Sequence, residues 1–147
     1  MSTLRQAISD GGQRDALIED ACVVLDAEVA DKKGLAGIAV KTGYKVLKSF
    51  QPGFVRKAVA FLLDDFLDAL DPIYQEALVD RVAPGAHLKA NPARVADALL
   101  ATTDERAQRA RSELLRKTYY KLRPTAKQHV EASVPRLGDL MAKYAAA

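Results

Sequence analysis

The chain has 147 residues, 49% hydrophobic and 28% charged, with a formal net charge of +3. It is long and apolar enough for one self-sufficient core, which excludes a disordered segment. The lone Cys22 excludes an intramolecular disulfide, and with only His87 and His129 beside it no Cys/His cluster supports a structural zinc.

The opening residues, Met1 to Asp10, lack an apolar signal core, and the longest apolar run, Ala58 to Leu63, falls far short of the roughly 20 residues that cross a bilayer. The expectation is a single helical domain over 1–147 in a reducing, cytoplasmic setting. With no tryptophan, few β-branched residues and abundant Ala and Leu, the composition favours helices over strands.

Proline and glycine punctuate the chain. A short helix over 3–9 stops at Gly11-Gly12. Ile18, Cys22, Leu25 and Val29 follow steps of four, three and four, which predicts an amphipathic helix over 13–31 with Cys22 in its core stripe. Over 35–50, apolar and small residues occupy roughly two-thirds of the circumference, while Lys41, Lys45 and Lys48 share one stripe. Such a helix is expected to sit centrally among neighbours, with Gly34, Gly37 and Gly43 permitting close approach; the alternative is a helix lying in a membrane interface.

Val55, Val59, Leu62, Phe66 and Leu70 predict a helix over 53–70. Asp71-Pro72 and Asn91-Pro92 each set a capping side chain before a proline at the first helical position, predicting helices over 72–82 and 92–101. Between them His87 falls in a connection and is expected to be solvated. Thr102 and Glu105 have capping-box spacing and would open a basic helix over 103–122, followed by a last helix over 125–145 with a break or kink at Pro135. The fold class is therefore an all-α, single-domain bundle of about seven or eight short to medium helices.

Candidate chemistry is sparse. Asp64-Asp65-Phe66-Leu67-Asp68 spells DDxxD, by which isoprenyl diphosphate synthases and terpene cyclases hold magnesium, but no second such cluster accompanies it and the match is read as incidental. Neither histidine has a Ser or Cys at a spacing that suggests a nucleophile and base, and there is no GxGxxG, Walker A or GxSxG. A non-catalytic protein without metal or cofactor is expected.

Charge offers more. Residues 10–31 are acidic, 32–57 carry seven Lys/Arg and no carboxylate, 64–80 are purely acidic and 106–127 are basic again. Projected from Arg106, Arg109, Arg116, Lys117 and Lys121 fall on one side of a helix with Tyr120, the composition that phosphate backbones and anionic headgroups favour. Together with Lys41, Lys45 and Lys48 these are the candidate anionic-partner residues, unless the acidic and basic blocks pair within the molecule.

The opening Met1-Ser2-Thr3-Leu4, the junction from Asp26 to Leu35, the Ala96 to Ala101 stretch with Thr103-Asp104, and the segments Lys121 to Arg123 and Pro135 to Leu137 resemble a small, functionally uncharacterised bacterial helical family. The resemblance implies one bacterial cytoplasmic helical domain and supplies no catalytic residues. The functional expectation is an interaction or scaffold protein that binds a protein partner, itself or an anionic membrane surface through basic amphipathic helices. The alternatives are a sequence-indifferent nucleic-acid binder, and a small apolar-ligand carrier or helical enzyme with a pocket lined by Phe50, Phe54, Phe61 and Phe66.

Overall fold

Thr3 opens the first helix with a capping box: its hydroxyl accepts from the Gln6 backbone N–H (3.1 Å), and Gln6 Oε1 accepts from the Thr3 N–H (2.9 Å). In this computed structural model, which describes residues 2–145, seven helices follow in order: α1 (Leu4–Asp10), α2 (Arg14–Asp31), α3 (Gly34–Phe50), α4 (Phe54–Asp80), α5 (Pro84–Ala90), α6 (Pro92–Gln108) and α7 (Glu113–Tyr144). There is no strand among the described residues. Gly53, at φ +70, makes the left-handed turn between α3 and α4 that a side chain would strain.

Three prolines expected to delimit helices lie inside them. α4 runs through Pro72, and Asp71 turns its carboxylate to the backbone N–H of Leu4 (2.8 Å), capping α1 from outside. Pro72 leaves one carbonyl without its donor, but Leu67 and Leu70 before it and Ile73, Tyr74 and Ala77 after it are buried in the same core, so packing outweighs the lost bond. α7 likewise continues through Pro124 and Pro135.

The expected start of the basic helix also moves. Thr102 donates to the Ala98 carbonyl (3.3 Å) inside a continuous α6, and the break falls at residues 109–112, where the Ser112 hydroxyl accepts from the Leu115 N–H (3.2 Å) and opens α7. Residues 84–90 form α5 rather than a loop. His87 is accordingly not solvated: its Nε2 lies 3.0 Å from Glu76 Oε1 and its side chain is largely covered.

α5 and α7 meet backbone to backbone. A Cβ on Gly138 would lie 2.8 Å from the Gly85 carbonyl oxygen, and one on Gly85 would collide with the Gly138 oxygen. α6 runs along α7, joined by Arg123 to Asp104 (2.8 Å) and Lys127 to Asp97 (3.1 Å). The two longest helices, α4 and α7, hardly touch each other: α5 and α6 bridge them on one side, α2 and α3 on the other. A space is left between them.

The third helix is peripheral, which corrects the expectation of a central one. Leu35 and Ile38 are 88% and 61% exposed, and within α3 only Gly37 and Gly43 are buried. Its wide apolar surface is thus not matched by neighbours; contact with α7 comes where Gly43 lies against Leu122.

Candidate functional site

The space between α4 and α7 is a cavity of about 380 Å³. Val59, Leu63, Phe66 and Leu70 of α4 face Val130, Leu137, Leu140 and Met141 of α7 across it. α2 covers one side with Leu17, Ala21, Val24, Leu25, Glu28 and Lys32, joined by Val40 of α3, while Leu88, Leu99 and Leu100 close the other. Leu17 is buried, while Ala21, Val24 and Leu25 further along the stripe are only half-buried, because they border empty space instead of packed side chains. Cys22 does not border the cavity. It is half-buried near Arg56 and Asp26, and burial raises its thiol above the usual range.

One end of the cavity is polar. Glu28, the one charged residue in the buried set, accepts from Arg136 (2.7 Å) and from Lys32 (3.3 Å), and Arg136 also reaches Asp31 (2.7 Å). Lys32 Nζ donates further to the backbone oxygen of His129 (3.4 Å). His129 lines the same end, and its Nε2, withdrawn from the accessible surface, has no hydrogen-bond partner among the described residues. Burial, and after it the Lys32 charge, push the imidazole below its ordinary value, so it is neutral at pH 7.

Sequence reasoning passed over Glu28 and Lys32 as parts of charge blocks. The signal was present, because Leu17, Ala21, Val24, Glu28 and Lys32 recur at steps of four, three, four and four. Their meeting with His129 and Arg136 depends on how α2 crosses α7, which no local pattern encodes.

The expected aromatic pocket divides. Phe66 borders the cavity, whereas Phe54 and Phe61 line a separate groove of about 430 Å³ with Leu47, Leu115, Tyr119 and Leu122. Phe50 lines neither and stacks edge-on against Phe54, centroids 4.9 Å apart. Arg106 lies over the exposed Phe61 ring (4.8 Å) and binds Asp65 (2.6 Å). Tyr119 hydrogen-bonds Thr103 (2.7 Å) and Asp104; burial and then Asp104 push its phenol up to about 12.

The anticipated basic stripe is not one surface. Arg106 and Arg109 belong to the end of α6, and Arg116, Lys117, Tyr120 and Lys121 to α7. Arg109 pairs with Glu105 (3.0 Å) and Lys117 with Glu113 (3.2 Å). Among the described residues, Arg116, Lys121, Lys41, Lys45 and Lys48 have no carboxylate within ion-pair distance. Tyr120 is half-exposed and packs edge-on against Tyr119 (5.5 Å).

The DDxxD carboxylates are each taken by an arginine: Asp64 by Arg14, Asp65 by Arg106 and Asp68 by Arg5. Among the described residues no group of three His, Cys, Asp or Glu could hold a metal ion, and no helix is long and apolar enough to cross a membrane.

No curated protein and no solved structure matches the chain. The helical family expected from the sequence is matched: residues 4–145 fit the family of unknown function DUF6918. This cavity-bearing seven-helix chain belongs to the family DUF6918.

Proposed function

We propose that the protein binds an apolar or amphiphilic small molecule in the cavity between α4 and α7 and acts as a carrier or sequestering protein. The observation that carries this reading is the cavity itself. At about 380 Å³ it falls within the range of small-molecule sites, and apolar side chains with a few converging polar groups are their usual lining. Most of the α6–α7 cations already have intramolecular partners, which leaves less free charge for a protein or nucleic-acid partner.

The test is native mass spectrometry on protein purified without detergent, paired with displacement of an environment-sensitive fluorophore by alkyl compounds of increasing length. A copurifying small molecule, or displacement that strengthens with chain length up to a limit, supports the reading. Bare protein that binds no alkyl compound refutes it.

A second reading has its own observation. α3 shows Leu35 and Ile38 to solvent beside Lys41, Lys45 and Lys48, none of them paired among the described residues, in a segment without carboxylates. That chemistry fits the surface of an anionic bilayer, with apolar side chains inserted and lysines at headgroup level. Co-sedimentation with vesicles containing phosphatidylserine, absent with neutral vesicles and lost in a Lys41→Glu, Lys45→Glu, Lys48→Glu variant, would support it. Equal recovery with both vesicle types would sink it, and preferential retention of nucleic acid would replace it.

A further inference from the structure

The groove that holds Phe54 and Phe61 is lined by three arginines, Arg106, Arg109 and Arg116, and by no carboxylate. It lies where α3 and α4 meet the break between α6 and α7 and shares only Thr103 with the cavity between α4 and α7. Leu47, Leu62, Leu115 and Leu122 give it an apolar bed of half-buried side chains, and its volume of about 430 Å³ is that of a small-molecule site. Apolar surface left half-covered is what a hydrocarbon chain gains by covering. The α4 side of the bed runs from Phe54 to Leu62, about 12 Å of helix, which suits a chain of medium length.

The polar groups along the groove select the head. Its hydroxyls are already engaged: Thr118 donates to the Leu114 carbonyl (2.8 Å), Thr103 meets Tyr119 (2.7 Å), and Tyr119 donates to Asp104. The arginines keep free donors. Arg106 turns Nε (3.0 Å) and Nη2 (2.6 Å) to one oxygen of Asp65, which leaves Nη1 without an acceptor among the described residues. Its guanidinium lies over the Phe61 ring and its side chain is 37% exposed, so a ligand can reach it. Arg116 is half-exposed and has no carboxylate within ion-pair distance among the described residues. Arg109 is held only by Glu105 (3.0 Å) in an exposed pair of the kind that contributes little and yields readily. A guanidinium donates and never accepts, so the head it selects is an acceptor, and the local excess of positive charge makes that acceptor an anion.

We propose that this groove is a second binding site, for a single-chain anionic amphiphile, a medium-chain carboxylate in chemical class. Its chain lies along Phe54, Phe61 and Leu122, and its carboxylate accepts from Arg106 and Arg116. The site is independent of the cavity reading above.

The experiment titrates the full chain with decanoate, 1-decanol and decyltrimethylammonium at about pH 6.5, where a carboxylate is ionised. Affinity is read by calorimetry, and location by the side-chain Nε–H NMR signals of the arginines. Decanoate is expected to shift the signals of Arg106 and Arg116 while leaving that of Arg94, paired with Glu76 elsewhere, in place. Its affinity should fall at least about threefold between roughly 50 and 500 mM salt. Arg116→Gln should weaken it about tenfold, the loss of a charged hydrogen bond, and Arg116→Lys, which restores the charge, should recover part of that loss. Ala58→Leu fills the groove from α4 and should abolish the shifts, whereas Ala21→Leu, in the cavity, should leave them unchanged.

Equal shifts from decanol or decyltrimethylammonium would show that the charge of the head is not read, and decanoate affinity unchanged in Arg116→Gln would remove that arginine from the site; either result overturns the proposal. Decanoate weakened by Ala21→Leu and not by Ala58→Leu would place it in the cavity between α4 and α7, overturning the groove while leaving the cavity reading standing. Absence of decanoate binding overturns the groove as well, and the cavity reading is then decided by its own displacement series.

Discussion

Enlarging Ala21 to leucine probes the space beneath α2. Ala21 borders it, and Ala21→Leu adds three carbons without a large helix-propensity cost, so it should stabilise by about 2 kcal/mol at roughly 0.8 kcal/mol per buried CH₂. For a chain of this length that raises Tm by about 5–8 °C. Ala96→Leu is the control: Ala96 is fully buried and lines neither this cavity nor the Phe54–Phe61 groove, so leucine there overpacks and should destabilise by about 1–3 kcal/mol. Thermal and urea unfolding of both variants without added ligand decide the matter. If Ala21→Leu destabilises as much as Ala96→Leu, α2 is packed shut and has no room for a ligand beneath it. If it stabilises, it should also weaken ligand binding, because the side chain and the ligand compete for one space.

Two further predictions concern the frame around the site. Gly138→Ala sets a Cβ against the Gly85 carbonyl oxygen (2.8 Å) and should destabilise by about 2 kcal/mol or more in urea unfolding; a change below about 0.5 kcal/mol would mean that α5 and α7 can separate freely. Glu76 is held down to about 2 by hydrogen bonds from Arg94 and then His87. Because its folded value lies below its ordinary one, its contribution is complete above the ordinary carboxyl range and disappears as pH falls toward 2. Tm should therefore drop less steeply between pH 5 and 2.5 in Glu76→Gln than in the wild type, and parallel curves would refute the linkage.

The helical class and the bounds of α1, α2 and α3 were legible because caps, glycine turns and apolar period are local. Helix continuity through Pro72, Pro124 and Pro135 was not, since it depends on buried residues on both sides outweighing one missing hydrogen bond. The apolar width of α3 misled for a related reason. Composition measures how much surface a helix could bury, not whether neighbours arrive to bury it, and here Leu35 and Ile38 remain open. The stripe on α2 was periodic, but the gap itself left no trace in α4 and α7, which carry ordinary inward stripes and are held apart by other helices.

The charge blocks encode which helices lie side by side. The acidic run on α4 is answered by Arg5 of α1, Arg14 of α2 and both Arg94 and Arg106 of α6, while Asp97 and Asp104 of α6 meet Lys127 and Arg123 of α7. Exposed pairs of this kind each contribute only about 0–1 kcal/mol, so their value lies in penalising wrong neighbours, where like charges would oppose each other. The segment 32–57 follows another rule beyond its first residue, Lys32: Arg56 reaches Glu19, but Lys33, Lys41, Lys45, Lys48 and Lys57 meet no carboxylate among the described residues. Nothing in the bundle's internal pairing requires those lysines. Reversing Lys41, Lys45 and Lys48 should therefore leave Tm within about 1–2 °C of the wild type, as for surface substitutions generally. Lost vesicle binding in that variant would then report the surface of α3 and not a loosened fold, whereas a large fall in Tm would show that the lysines hold the bundle together by contacts other than ion pairs.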